Sequence, residues 1–405
     1  MGETHHWVDC HDCGLRQSLP DPVAGHGRHC YRCHASFGRG VLRTENALAL
    51  VATALTLFLL ATLFPLLAIE VSGHTRSIHL GSMVTGLIDH DLFPLALFVL
   101  LIALLAPFGQ IAALGYVLLH LRNGSRFRHA VFFLRLAAAM RPWAMFDVFL
   151  IGALVTLTKL HDLASIEIDV GFWAIGLLVL VLALLDLAID PHALWDLVSP
   201  PPRSADPPPA SSLSCANCAL VQPPASHCAR CRARLHRRRP ESLTRAAALV
   251  VTGFVLYLPA NLFPVITVIS FGRGTSATII GGVLELLNGS DWPLAVIVFT
   301  ASVAVPLLKL VGLGWLLVST RIGRRARLTD RTRLYRLIEL VSRWSAVDIF
   351  VSALLTALVT LGNLATIEPG LGVLAFGAVV FVTMLATEHF DPRLMWDFAG
   401  ANHAP

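Results

Sequence analysis

The chain has 405 residues, of which 55% are hydrophobic and 14% charged; its mean hydropathy is +0.68 and its formal net charge is +5. A soluble domain carries about 25% charged residues, so this chain cannot cover a water-facing surface with polar groups. That excludes a soluble globular protein and puts the chain in a bilayer.

Residues 1–7 lack the basic-then-apolar plan of a secretory signal, so the N-terminus is expected to stay in the cytosol. Cys10-His-Asp-Cys13 and Cys30-Tyr-Arg-Cys33 follow, then an apolar run closing on Leu63-Phe64-Pro65. The uncharged stretch 47–69 is long enough for about 30 Å of hydrocarbon. Further spans are expected at 92–121, 145–163 and 172–189. A Pro/Ser-rich linker then starts at Ser199. The plan returns with Cys215-Ala-Asn-Cys218, Cys228-Ala-Arg-Cys231 and a run closing on Leu262-Phe263-Pro264. Four more spans are expected at 246–269, 292–320, 346–364 and 371–387. The expected domains are a ribbon at 1–43, a four-helix membrane repeat at 44–198, the linker at 199–214, a second ribbon at 215–240 and a second repeat at 241–398. The fold class is an all-α polytopic membrane protein of two tandem repeats, each preceded by a small cytosolic zinc ribbon.

Subtraction supports the duplication. Pro65, Pro94, Pro107 and Gly115 recur 199 residues later as Pro264, Pro293, Pro306 and Gly314. Trp143, Asp147, Phe149, Glu167, Asp190 and Trp195 recur 201 later as Trp344, Asp348, Phe350, Glu368, Asp391 and Trp396. An even number of spans per repeat makes the two copies parallel rather than inverted. The loops after spans two and six hold thirteen arginines between Arg122 and Arg343, against Arg76 and Arg273 in the opposite loops. Basic loops stay inside. Both termini, both cysteine blocks and the linker are therefore expected in the cytosol, and the basic loops suit anionic headgroups.

All eight cysteines lie in C-x-x-C pairs, spaced C-x2-C-x16-C-x2-C (Cys10, Cys13, Cys30, Cys33) and C-x2-C-x9-C-x2-C (Cys215, Cys218, Cys228, Cys231). Two such turns complete a closed four-sulfur site, which makes two structural zinc ions the expected cofactors, with a rubredoxin-type iron as the rival. Exchange of ligands between the two ribbons stays open. His5, His6, His11, His29 and His34 crowd the first block and are expected to face solvent.

Of 31 basic residues only Lys159 and Lys309 are lysine, and both fall inside expected spans. An ammonium can lose its proton when desolvated, whereas guanidinium effectively cannot. The repeat partner of Lys309 is Gln110, and that of Lys159 is Thr360. Structural hydrogen bonding or snorkelling competes with a functional role for both lysines. Asp147 and Asp348 open the third span of each repeat, where a helix-start carboxylate also satisfies free N–H groups. Glu167 and Glu368 are expected at the outer mouth, lining an exit or simply solvated. Asp186 lies a turn inside the fourth span opposite Thr387. Pro65, Pro107, Pro264 and Pro306 are expected to bend their helices. The chain contains no phosphate loop, His-Glu-x-x-His or Gly-x-Ser-x-Gly motif.

The doubled cysteine pairs, the spans ending Leu-Phe-Pro and the Trp…Asp opening of span three resemble the paraquat-inducible protein A family, which includes the LetA branch, formerly YebS. The resemblance runs from Cys10 to Trp396 in both copies. It implies an inner-membrane partner of a periplasmic MCE-family tunnel protein, moving phospholipid between the inner and outer membranes. Polar intramembrane residues, Lys159 and Asp147 among them, would line the lipid pocket. Proton coupling through Lys309 or Lys159 is a further expectation. Neither an enzymatic activity nor a nucleic-acid partner is expected. A membrane-anchored zinc- or redox-responsive sensor of envelope stress is the alternative.

Overall fold

The computed structural model describes residues 6–19, 28–37, 44–71, 74–123, 129–160, 165–200, 208–270, 273–288, 292–358 and 365–400. The first ribbon pairs β1 (His6–Asp9) with β2 (Arg16–Leu19). The first repeat then runs α1 (Thr44–Leu63), β3 (Leu67–Val71), β4 (His74–Ile78), α2 (Leu80–Asp89), α3 (Phe93–Leu100), α4 (Ala106–Asn123), α5 (Ala130–Met140), α6 (Phe146–Leu160), β5 (Ser165–Ile168), α7 (Val170–Ala188) and α8 (Pro191–Val198). After the second ribbon, β6 (Leu213–Ser214) with β7 (Val221–Gln222), the same order returns. It comprises α9 (Ser242–Leu262), β8 (Ile266–Ser270), β9 (Arg273–Ala277), α10 (Ile279–Asn288), α11 (Trp292–Phe299), α12 (Val305–Arg321), α13 (Leu328–Trp344), α14 (Val347–Leu358), β10 (Ala365–Pro369), α15 (Leu371–His389) and α16 (Arg393–Phe398).

Among the described residues, six helical segments are long and apolar enough to cross a bilayer, and the chain is a multi-pass membrane protein. They are the first, second and fourth expected spans of each repeat. The third spans are shorter in the described residues, 15 residues in α6 and 12 in α14. They pack against each other between the repeats. Phe149 meets Phe350 edge-on at 5.2 Å, and a Cβ on Gly152 would lie 3.0 Å from Phe350 Cβ.

The buried seam of α1 is Ala47, Val51, Ala54, Phe58 and Ala61, in a 4-3-4-3 spacing. In α9 the same positions are Ala246, Val250, Gly253, Tyr257 and Ala260. Lipid removes most of the hydrophobic drive between helices, so small residues that let backbones approach carry the packing. These seams set α1 on α7 and α9 on α15.

Two expectations need correction. The apolar runs 47–69 and 246–269 are not single helices, and Pro65 and Pro264 do not bend them. Each proline ends its helix, because the residue before proline is pushed to extended backbone; Phe263 has ψ 149°. The chain continues as a strand, and β3 joins β4 and β5 in one antiparallel sheet while β8 joins β9 and β10 in another. These sheets cap the side of the bundle opposite the ribbons. Gly171 and Gly372 permit the closure: their N–H groups donate to the Pro65 and Pro264 carbonyls at 2.9 and 3.0 Å. A Cβ there would sit 2.5 and 2.6 Å from the Pro65 and Phe263 carbonyl oxygens.

Pro107 and Pro306 do lie within long helices. Each follows a π-helical turn, Leu101–Leu105 and Thr300–Ala304, closed by N–H bonds from Ala106 to Leu101 and from Val305 to Thr300. Proline cannot donate to the carbonyl four residues back and its ring crowds it; a wider turn just before it relieves both.

Candidate metal centres and the buried lysine of the second repeat

Each C-x-x-C pair folds as the same tight knuckle. The first cysteine accepts at its carbonyl from the residue after the second cysteine: Gly14, His34, Ala219 and Arg232 donate at 2.9–3.0 Å. Those four residues all have positive φ, 57–71°. Only Gly14 adopts that conformation without strain, and an isolated non-glycine residue there costs about 1–3 kcal/mol, so the knuckle needs an outside constraint.

A metal fits that need. The sulfurs of Cys10 and Cys33 are 3.5 Å apart and those of Cys13 and Cys30 3.6 Å; Cys215–Cys231 and Cys218–Cys228 are 3.4 and 3.6 Å apart. Within each block all four sulfurs lie within 4.8 Å of one another and are buried. A disulfide would need about 2.05 Å. A tetrahedral ion with metal–sulfur bonds of about 2.3 Å needs sulfurs about 3.8 Å apart. Each ribbon builds its cluster from its own block, so no ligands are exchanged. His11, His29 and His34 are exposed, as expected; the side chains of His5 and His6 lie outside the described residues.

The ribbons cross over. The first buries Val8 and Phe37 in a cluster with Tyr335, Ile338, Phe390 and Trp396 of the second repeat, and Arg32 lies over the Trp396 ring at 5.2 Å. The second ribbon faces the first repeat, where Arg230 donates to Asp196 Oδ1 at 2.7 Å. Arg16 of the first ribbon donates to the Pro209 and Ser212 carbonyls beside the second, both at 2.8 Å. Other contacts run the opposite way, from Arg28 to Asp190 at 3.5 Å, from Arg238 to Asp397 at 2.8 Å and from the Arg239 N–H to Asp391 at 3.2 Å. A polar cavity of about 280 Å³, reached by Asp9, Asp12, Arg28, Arg239 and Asp391, lies between the two ribbons and the second repeat.

Inside the second repeat, Lys309 is 2% exposed. Its ammonium donates to Thr383 Oγ1 at 3.0 Å and Ser345 Oγ at 3.2 Å. No carboxylate pairs with it among the described residues. The polar line continues toward the ribbons: Thr387 Oγ1 donates to the Thr383 carbonyl at 2.9 Å, and Ser342 Oγ lies 3.2 Å from Thr387 Oγ1. Tyr335 Oη donates to the Thr387 carbonyl at 3.2 Å. Burial pushes the Tyr335 hydroxyl up, so it stays protonated and can donate. Tyr335 also lines the cavity beneath the ribbons.

The other expected site residues whose side chains are described are not gathered around Lys309. Gln110, its counterpart, is buried and lines a separate cavity of about 70 Å³ with Leu134, Trp195 and Asn217. Asp147 is exposed in the first turn of α6, and Glu167 is exposed on β5 opposite Ala68. Asp186 pairs with Arg141 at 3.2 Å. Thr360 and the side chains of Lys159, Asp348 and Glu368 lie outside the described residues.

Sequence reasoning missed Ser345, Thr383, Ser342 and Tyr335. The signal was present in the repeat offset of 201, which sets them against Ala144, Leu182, Arg141 and Leu134.

The model of the family described as paraquat-inducible protein A matches residues 44–199 and again 243–399. The chain belongs to that family. It is 33% identical to the intermembrane transport protein PqiA of Escherichia coli K12, over 98% of each chain. It is 29% identical to the lipophilic envelope-spanning tunnel protein A of the same strain, over 96% of this chain and 90% of the relative. A probable intermembrane transport protein of Haemophilus influenzae is 28% identical over 96% of this chain and 95% of its own. No solved structure matches the chain.

Proposed function

We propose that this family member is the inner-membrane component of an MCE-type lipid transport system. It loads phospholipid into a periplasmic tunnel protein, or receives it from one, for transfer between the inner and outer membranes. The observation that carries this reading is similarity over 98% of the chain to a protein named for intermembrane transport. A relative named as an envelope-spanning tunnel protein points the same way.

In this reading the ribbons (1–43 and 215–240) and both termini face the cytosol, since the thirteen arginines follow the even-numbered spans. Two zinc ions hold the ribbons as structural modules that brace the membrane repeats (44–198 and 241–398), joined by the linker 199–214. Lys309 is the coupling residue, because a buried ammonium held by two hydroxyls can give up and regain a proton. Lys159, Gln110, Asp147, Asp348 and Thr360 are the further polar positions of the lipid path, and Glu167 and Glu368 mark its outer mouth. No chemical transformation of the lipid is assigned to the chain.

The test is mild affinity purification from native membranes, with mass spectrometry of lipids and co-purifying proteins and elemental analysis for zinc. An MCE-type partner with stoichiometric phospholipid is the expected result. A protein that carries zinc but neither partner nor lipid would overturn the transport reading in favour of the zinc- or redox-responsive sensor.

A further inference from the structure

Arg336 stands on α13 of the second repeat, yet its guanidinium reaches into the first ribbon. Nε donates to Asp12 Oδ2 at 2.6 Å. Nη2 donates to the Cys33 carbonyl at 3.0 Å and to Cys33 Sγ at 3.3 Å. The Asp12 side chain is only 6% exposed, so the group is sheltered from water on the ribbon side. Four thiolates around a divalent ion leave an excess of about two negative charges. A buried excess of this kind is costly unless it is met by charge and hydrogen bonds. Arg336 supplies both, and a charge-assisted bond is roughly twice as strong as a neutral one.

Repeat symmetry does not impose this arrangement. The counterpart of Arg336 is Arg135, an exposed residue of α5, and Asn217 replaces Asp12 in the second ribbon. Among the described residues no arginine donates to a sulfur of the second ribbon. Arg230 there donates to the Cys218 carbonyl at 3.4 Å and directs its other nitrogen to Asp196.

We infer that Arg336 is an outer-sphere residue of the first metal centre. Its bonds to the Cys33 carbonyl and sulfur tie metal retention in the first ribbon to that ribbon's seat on the second repeat; among the described residues the second centre lacks this support. The inference rests on metal occupancy of both ribbons, which is part of the proposed function.

The test uses the full-length protein in detergent, with zinc release followed in excess chromogenic chelator. Two release phases are expected, and a Cys30→Ser/Cys33→Ser variant identifies the one belonging to the first ribbon. Loss of outer-sphere support typically costs about 10–100-fold in metal affinity. Arg336→Gln should speed the first-ribbon phase by that factor and leave the other unchanged. Arg336→Lys, which keeps the charge but loses the planar fork, should fall between. Asp12→Asn removes the docking ion pair but leaves the bonds to Cys33, and should have a smaller effect. In cobalt-substituted protein the thiolate-to-metal charge-transfer band should shift in Arg336→Gln and not in Asp12→Asn. An unchanged first phase, or equal acceleration of both phases, would overturn the role of Arg336. So would an Asp12→Asn variant matching Arg336→Gln with no band shift, since docking alone would then account for the effect. Wild-type protein without two metal equivalents would overturn the metal reading as well.

Discussion

The two repeats share a backbone plan and differ in what fills it. In the second, Tyr257, Ser302, Lys309, Thr320, Arg331, Tyr335, Ser345, Thr383 and Thr387 run through the bundle. The first repeat has Phe58, Ala103, Gln110, Leu121, Ala130, Leu134, Ala144, Leu182 and Asp186 at the same positions. Tyr257 donates to the Val303 carbonyl inside the π-helical turn at 3.1 Å, a bond Phe58 cannot make. The buried Arg331 donates to Thr320 Oγ1 at 2.9 Å and the Arg324 carbonyl at 2.8 Å, where the first repeat has Leu121 and Ala130. The two copies thus share a scaffold, one with a polar interior and the other with an almost apolar one. Polar groups in lipid are costly, so the proposed coupling role of Lys309 is tested most directly by comparing the two repeats.

The largest expected effect separates the copies most sharply. Lys309→Ala should abolish lipid transfer, or the envelope phenotypes that report it, at normal protein level, whereas Gln110→Leu should lower transfer only in part. Equal losses from both would end the comparison.

Phe350→Ala should lower stability by about 3–5 kcal/mol, as for a large aromatic lost from a core, read as a thermal shift in detergent. Phe149→Ala should match it, because the two rings form one contact across the repeat boundary.

Gly171→Ala and Gly372→Ala each drive a methyl into a carbonyl and should cost about 1–3 kcal/mol. Similar shifts for the two would show that the sheet-capped side kept its symmetry where the interior did not.

On the ribbon side, burial would raise the Asp391 carboxyl, but hydrogen bonds and charge from Arg393, with the Arg239 N–H, hold it below its usual 3.8. A carboxyl depressed in the folded state stabilises above its unfolded pKa, and that contribution fades as pH falls through the lower folded value. Stability followed below pH 3.8 should therefore decline more steeply in wild type than in Asp391→Asn.

The smallest effect is expected from Tyr257→Phe, about 0.5–1.5 kcal/mol for one hydrogen bond. The change makes the second repeat resemble the first at a position where Phe58 already fits.

Sequence alone determined the duplication, the membrane setting, the eight cysteines as two candidate ligand sets and the isolation of Lys309 in an apolar helix. These follow from local composition and fixed offsets, since a C-x-x-C turn and a lone intramembrane cation keep their chemistry wherever the chain folds. The sheets of β3–β5 and β8–β10 were hidden because strands that follow an apolar helix without a charge read as more helix; Leu-Phe-Pro was the available stop signal. Only the tertiary structure decided which groups meet. Ser345, in the turn after α13, and Thr383 of α15 converge on one ammonium through the packing of α12, α13 and α15. Arg336 lies 303 residues from Cys33. Both the polar line and the exchanged seats of the ribbons depend on how the two repeats close on each other, and no periodicity or spacing along the chain encodes that.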